Sequence, residues 1–374
     1  MQKNKELHIT FIGRLEKEKG IEILIACIQK SIIQKRNIVW HICGSGSYQS
    51  ELEKLNSDRW INHISQQYIQ MYGYLDREKI NSVLDKTDLV IMPSLFLETF
   101  GLVALETLSG WVPVVWFSQG GLSNFIHPIL ALDIKAPVDS FFHILDIWIF
   151  PLMDISEFSQ DHWLSKLTEL TEWVDRILIV NDYLDMVWWA EQYLHSLAWA
   201  LRSIGKTVEV FGYNWNTNRF MRIWLMFLSP FAFWRATLLE KKIQEFSPDL
   251  IWMQSILRYI GPHGVGIISK TNCKKYITHH DFGLISPRPS RIYTEEDIPC
   301  GPNLWDWIPK KLSIFSVLSI LPKWIMIRCI WNYLQNETFT HILPSNWMQP
   351  YFQKYIDTIP IIFPHTTTID HSVK

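Results

Sequence analysis

Glycine is scarce in this chain of 374 residues. Only 16 are present, where average usage gives about 26. Tryptophan, ordinarily much the rarer residue, reaches 19. Cysteine is also sparse: Cys27, Cys43, Cys273, Cys300 and Cys329 are scattered, with no CxxC pair and no zinc-ligand spacing. That excludes a disulfide framework and fits reduced thiols in a cytoplasmic protein. Charge of one sign is missing too, since the net charge of −2 offers no electrostatic footprint for nucleic acid. No uninterrupted apolar run reaches the roughly 18 residues a membrane span needs. The segment Leu312–Leu334 comes nearest but carries Pro322, Lys323 and Arg328. It and Phe220–Leu239 read as buried helices in preference to helices lying on a membrane surface, which would give peripheral contact at its inner face. The opening residues hold no apolar stretch of the kind a signal peptide needs and run straight into a strand pattern.

What is present is globular: 48% hydrophobic and 19% charged residues over a length that suits two domains. Short β-rich runs alternate with helical stretches. The runs Leu7–Gly13, Ile38–Gly44, Asp88–Ser94 and Pro113–Phe117 form one series. A second begins at Arg176–Asn181 and continues through Thr207–Tyr213, Asp249–Ser255, Lys275–His279, His341–Ser345 and Pro360–Pro364. Such alternation predicts parallel sheets covered on both faces, here in two α/β domains, residues 1–174 and 175–374. Ile155–Glu172 reads as a helix closing the first.

The densest chemistry is Glu98-Thr-Phe-Gly-Leu-Val-Ala-Leu-Glu106. A helix is predicted to open near Phe100 and Gly101, where free N–H groups can hold a diphosphate and glycine allows close approach. Carboxylates at that mouth suit sugar or ribose hydroxyls. The loop Gly13-Arg-Leu-Glu-Lys-Glu-Lys-Gly20 follows the first strand, so Arg14 and Lys19 can reach a pyrophosphate at the strand end. Gly44-Ser-Gly46 ends the second strand, and Gly120-Gly121 follows Pro113–Phe117.

Together with Gly73-Tyr-Leu75, this ordered set resembles the C-terminal, donor-binding domain of family 4 glycosyltransferases of the GT-B fold, over residues 7 to about 126. The resemblance implies that Arg14 and Lys19 neutralise a leaving diphosphate and that Glu98 binds donor hydroxyls. It implies that Phe100, Gly101 and Leu102 offer backbone amides, that Glu106 holds the ribose, and that Gly13, Gly44 and Gly46 line the donor crevice. The resemblance also implies no metal and no other cofactor, with a UDP- or GDP-sugar as the expected substrate.

Residues 175–374 resemble the N-terminal, acceptor-side domain of the same family. The matching pieces are Arg176–Leu184, the helix Ala190–Gly205, Pro248–Gln254 (with Gln254 where histidine is common), Thr278-His-His-Asp281 and Pro344-Ser-Asn346. By that resemblance His280 contacts the transferred sugar and Asp281 orients it or binds acceptor, a saccharide or a lipid-linked one.

Two features depart from the family. The domain order is inverted, as in a circular permutant or in the tail of one glycosyltransferase fused to the head of another. The fusion is slightly favoured, and Trp173 at the boundary then marks where a stop codon is hidden. In addition, tryptophan stands where the pattern has glycine. Trp188-Trp189 replaces a Gly-Gly on the acceptor side, and Trp111 and Trp116 replace glycines before and within the strand Pro113–Phe117. A codon for glycine read as tryptophan accounts for this, and genuine indoles there are expected to obstruct the donor pocket. The resulting expectation is a retaining glycosyltransferase. The alternatives are a non-catalytic nucleotide-sugar-binding fusion and, further off, a nucleotide-sugar epimerase.

Overall fold

The computed structural model describes residues 6–57, 69–124, 127–185, 189–214, 233–257, 259–286, 297–298, 314–335 and 338–365. The chain divides into two compact units between Ser159 and Gln160, each an α/β unit around a parallel sheet.

The first unit is built on a six-stranded sheet of order β3-β2-β1-β4-β5-β6. Its strands are β1 Leu7–Ile12, β2 Ile38–Cys43, β3 Ile69–Gly73, β4 Leu89–Met92, β5 Val114–Phe117 and β6 Ala131–Leu132. Every pairing is parallel, and β1 runs in register with β2 from Leu7↔Ile38 to Ile12↔Cys43. The strand sequences are nearly continuous apolar runs because both faces are covered; β2, β4 and β5 are buried throughout. The helix Ile21–Ile33 turns Ile21, Leu24, Ile25, Ile28 and Ile32 inward. That i, i+3, i+4, i+7 stripe fits one helix face to a sheet, and each such side chain contributes about 1.5–3 kcal/mol on burial.

The second unit carries six parallel strands in the order β12-β11-β10-β9-β7-β8: β7 Arg176–Tyr183, β8 Thr207–Tyr213, β9 Leu250–Met253, β10 Lys274–Thr278, β11 Phe339–Leu343 and β12 Ile361–Ile362. Both units are therefore Rossmann-like, as the alternation of strand and helix predicts.

The division between them falls earlier than the expected 174. The stretch Ile155–Glu172 is not one closing helix but a 3-10 turn, Ser156–Phe158, followed by the helix Gln160–Leu170. Phe158 packs in the first core. Trp163 and Leu167 belong to the second core, where Trp163 stacks on Phe363 at 5.4 Å. Tyr276 Oη donates to the Leu170 carbonyl at 3.0 Å. The helix stays with the second unit because its apolar side chains are buried there.

Leu312–Leu334 contains the helix Ile314–Leu334, with Pro322 inside it. Among the described residues no helix is long and apolar enough to cross a membrane. Much of Phe220–Leu239 lies outside the described residues.

Candidate functional site

A parallel sheet whose strand order reverses direction leaves a crevice at the carboxyl ends of its strands, where two neighbouring loops leave toward opposite faces. In the first unit the reversal lies between β1 and β4. The loop after β1 carries Gly13–Gly20; the loop after β4 carries Ser94–Gly101. Lys19 Nζ and Glu98 Oε1 meet across that point at 2.5 Å. Their side chains are only 22% and 16% exposed, so the ion pair is partly withdrawn from water and stronger than a surface pair. Lys19 also lies 4.5 Å from the centre of the Phe96 ring. Arg14, more exposed, pairs with Glu18 at 2.9 Å.

Backbone hydrogen bonds bind these loops into one rim. Leu95 N–H donates to the Glu18 carbonyl at 2.9 Å, Leu15 N–H to Ser45 at 2.9 Å, and Gly121 N–H to Glu98 at 2.8 Å. Gly20 adopts φ +71, and a Cβ there would stand 1.7 Å from the Pro93 carbonyl oxygen. Only glycine lets the β1 and β4 loops approach so closely. Gly44 meets the same limit against the Gly13 carbonyl at 1.8 Å. Gly101, at φ +91, opens the helix Leu102–Ser109, whose first-turn N–H groups have no acceptor within the helix. Phe100 sends its ring inward, edge-on to Phe158 at 5.9 Å. Glu106 is half-buried on the same helix, one turn beyond Leu102.

Gly13, Arg14, Lys19, Gly44, Gly46, Glu98, Phe100 and Gly101 thus lie on neighbouring loops at the carboxyl ends of β1, β2 and β4, and Leu102 begins the helix that follows the last of them. Three residues unnoticed in the sequence join them. Ser94 Oγ lies 3.4 Å from the Glu18 carbonyl and 3.5 Å from Glu98 Oε1. Glu18 partners Arg14. Glu16 accepts from the Ser47 hydroxyl at 2.7 Å and from the Ser47 N–H at 3.0 Å; these two bonds hold its carboxyl below the usual range. For Glu18 the signal was its i, i+4 spacing from Arg14; Glu16 and Ser94 find their partners on other loops, which spacing along the chain does not display.

In the second unit His280 follows β10. Its Nε2 lies 2.7 Å from Gln254 Oε1, its ring stacks on His365 at 5.3 Å, and Tyr193 meets it edge-on at 5.1 Å. Burial pushes its pKa down to about 3, so the ring is neutral at ordinary pH. Asp281 is exposed and accepts from Gly283 N–H at 2.6 Å. Trp188 lies outside the described residues. Trp189 begins the helix Trp189–Ser203, with its side chain outside them.

Trp116 and Trp111 occupy different parts of the first unit. Trp116 is buried within β5, paired with Ala131. Trp111 is exposed beyond the far end of the helix Leu102–Ser109. Neither belongs to the loops that carry Arg14, Lys19 and Glu98. Among the described residues no three His, Cys, Asp or Glu side chains gather as they would around a metal ion.

Residues 2–128 match the family model of glycosyl transferases group 1. An uncharacterized glycosyltransferase of Methanocaldococcus jannaschii is 36% identical over 121 residues, covering 32% of this chain and 30% of that protein. The glycogen synthase of Mycobacterium tuberculosis is 30% identical over 118 residues, covering 32% of this chain and 27% of the relative. The match therefore spans less than a third of the length of either relative, and it falls on the unit that holds the Lys19–Glu98 pair. Among solved structures, the pneumococcal O-GlcNAc transferase in complex with UDP and GlcNAc aligns at 20% identity with a TM-score of 0.31, covering 39% of this chain and 30% of that one.

Proposed function

We propose that this chain is a glycosyltransferase that moves a sugar from a UDP- or GDP-sugar to a saccharide or lipid-linked acceptor with retained anomeric configuration. The observation that carries the reading is the Lys19–Glu98 pair at the strand-order reversal of the first unit. There a cation and a carboxylate stand together beside the glycine-opened helix start at Gly101. In this reading Lys19 and Arg14 take the charge of the departing diphosphate, which a preorganised cation stabilises most as that charge develops. Glu98 accepts hydrogen bonds from donor hydroxyls and is held in place by Lys19 until they arrive. The helix opening at Gly101 receives phosphate on its first-turn N–H groups. Glu106 binds the ribose. Attack on the same face of the sugar is assisted by the leaving diphosphate, so no carboxylate need serve as the nucleophile. In this reading the second unit takes the acceptor, with His280 and Asp281 assigned to sugar and acceptor recognition.

A second reading rests on His280 being buried and engaged with Gln254. In that reading the ring holds the second unit together, and the chain binds donor without transferring it. Calorimetric titration with UDP and GDP, followed by incubation with labelled UDP- and GDP-sugars, separates the two. Binding with release of labelled sugar supports transfer; binding without release supports the binder. No affinity for either nucleotide overturns both.

A further inference from the structure

Four non-glycine residues with positive φ occur among the described residues, and two of them are tryptophans: Trp111 at +62 and Trp148 at +55. The left-handed region crowds a Cβ against the backbone, and bulky side chains rarely adopt it. Trp111 follows the C-cap Gly110 of the helix Leu102–Ser109. Its N–H donates to the Leu108 carbonyl at 3.0 Å, and the Val112 N–H donates to Thr107 at 3.2 Å. That double bond pattern is the helix ending in which the left-handed residue is most often glycine. The same chain closes its helix Trp189–Ser203 in this way with glycine: Gly205, φ +86, donates to Arg202, and Lys206 donates to Leu201, both at 3.0 Å. Trp148 is the left-handed C-cap of the helix Pro137–Ile147.

Burial does not offset the strain. Trp111 is 68% exposed and Trp148 45% exposed. Three other tryptophans are held as a core indole is. Trp40, Trp252 and Trp331 are almost wholly buried, and their Nε1–H groups donate to Ser31 Oγ, Thr278 Oγ1 and the Leu284 carbonyl, respectively. Backbone conformation and side-chain environment thus set Trp111 and Trp148 apart from Trp40, Trp252 and Trp331. The low glycine and high tryptophan totals agree with that division.

We infer that the organism making this protein places glycine at positions 111 and 148, by reading as glycine a codon rendered here as tryptophan. The inference stands on backbone geometry and is independent of the proposed activity. It singles out 148, where no family pattern drew attention, and it leaves 40, 252 and 331 as tryptophan.

Sequencing the source-made protein by tandem mass spectrometry of its peptides tests this directly. Glycine is expected at 111 and 148, with tryptophan at 40, 252 and 331. Tryptophan at 111 or 148, or glycine at any of the other three, overturns it. A second measurement uses recombinant chain carrying tryptophan throughout. Trp111→Gly and Trp148→Gly are each expected to raise Tm by about 2–4 °C, whereas Trp252→Gly lowers it. A fall in Tm for either of the first two variants contradicts the inference.

Discussion

Lys19 Nζ and Glu98 Oε1 are separated by 79 positions in sequence and by 2.5 Å in space. The pair, with the Leu95 N–H bond to the Glu18 carbonyl, ties the loops after β1 and β4 together. Lys19→Ala removes the cation assigned to the diphosphate and leaves Glu98 half-buried without its partner. Transfer is expected to fall by about 10²–10³-fold, and stability by about 1–3 kcal/mol. Initial rates with labelled donor and urea unfolding measure the two effects separately. Glu98→Gln, which keeps the shape and an acceptor, is expected to lose turnover with a smaller change in stability.

Gly20 has no room for a methyl group. Gly20→Ala sets a Cβ against the Pro93 carbonyl at 1.7 Å and asks alanine to hold φ +71, so the two loops must separate. A loss of at least about 1–3 kcal/mol follows, seen as a lower Tm. Nucleotide affinity falls with it, because Lys19 and Glu98 are carried on the loops that part.

Asp182 is a buried carboxylate that accepts from the N–H groups of Tyr259 at 2.8 Å and Ile260 at 3.0 Å, at the start of the helix Gly261–Ser269. Asp182→Ala strands both donors in the interior and is expected to cost about 2–4 kcal/mol. Asp182→Asn retains an acceptor and should recover most of that. Chemical denaturation of the two variants makes the comparison.

Acid is expected to weaken the second unit through its buried histidines. His341 Nε2 lies 3.2 Å from the Leu334 carbonyl, so it carries the proton. Its Nδ1 then accepts from His279 Nε2–H at 2.9 Å. Protonating His341 at Nδ1 ends this arrangement, because two N–H groups then face each other. Burial drives the pKa of His341 to about 4 and that of His280 to about 3, below the value of about 6.5 in the unfolded chain. Between those limits the unfolded state binds more protons. Stability is therefore full above about pH 6.5 and is lost as pH falls toward 4, by about 1.4 kcal/mol per pH unit for each histidine. Urea midpoints between pH 7.5 and 4.5 read this slope. A flat profile rules out the neutral buried pair.

The sequence by itself determined the α/β class and most strands, because a parallel sheet covered on both faces needs apolar runs such as Ile38–Cys43 and Leu89–Met92, which local composition displays. The edge strands Ile69–Gly73 and Ala131–Leu132 were not legible: they are short, and their strand character comes from the neighbour they pair with. The motif order around Arg14, Lys19, Glu98 and Gly101 was legible because glycines and charges at strand ends obey local rules. Tertiary structure alone decided that Lys19 pairs with Glu98, since that choice depends on which loop lies across the sheet, whereas Arg14 turns to Glu18 four positions along its own loop. It also assigned Gln160–Leu170 to the second unit, by giving Trp163 and Leu167 a core to enter. Finally, it separated indoles held in a core from those perched on left-handed backbone at 111 and 148, a distinction of φ angle and burial that a one-letter code does not carry.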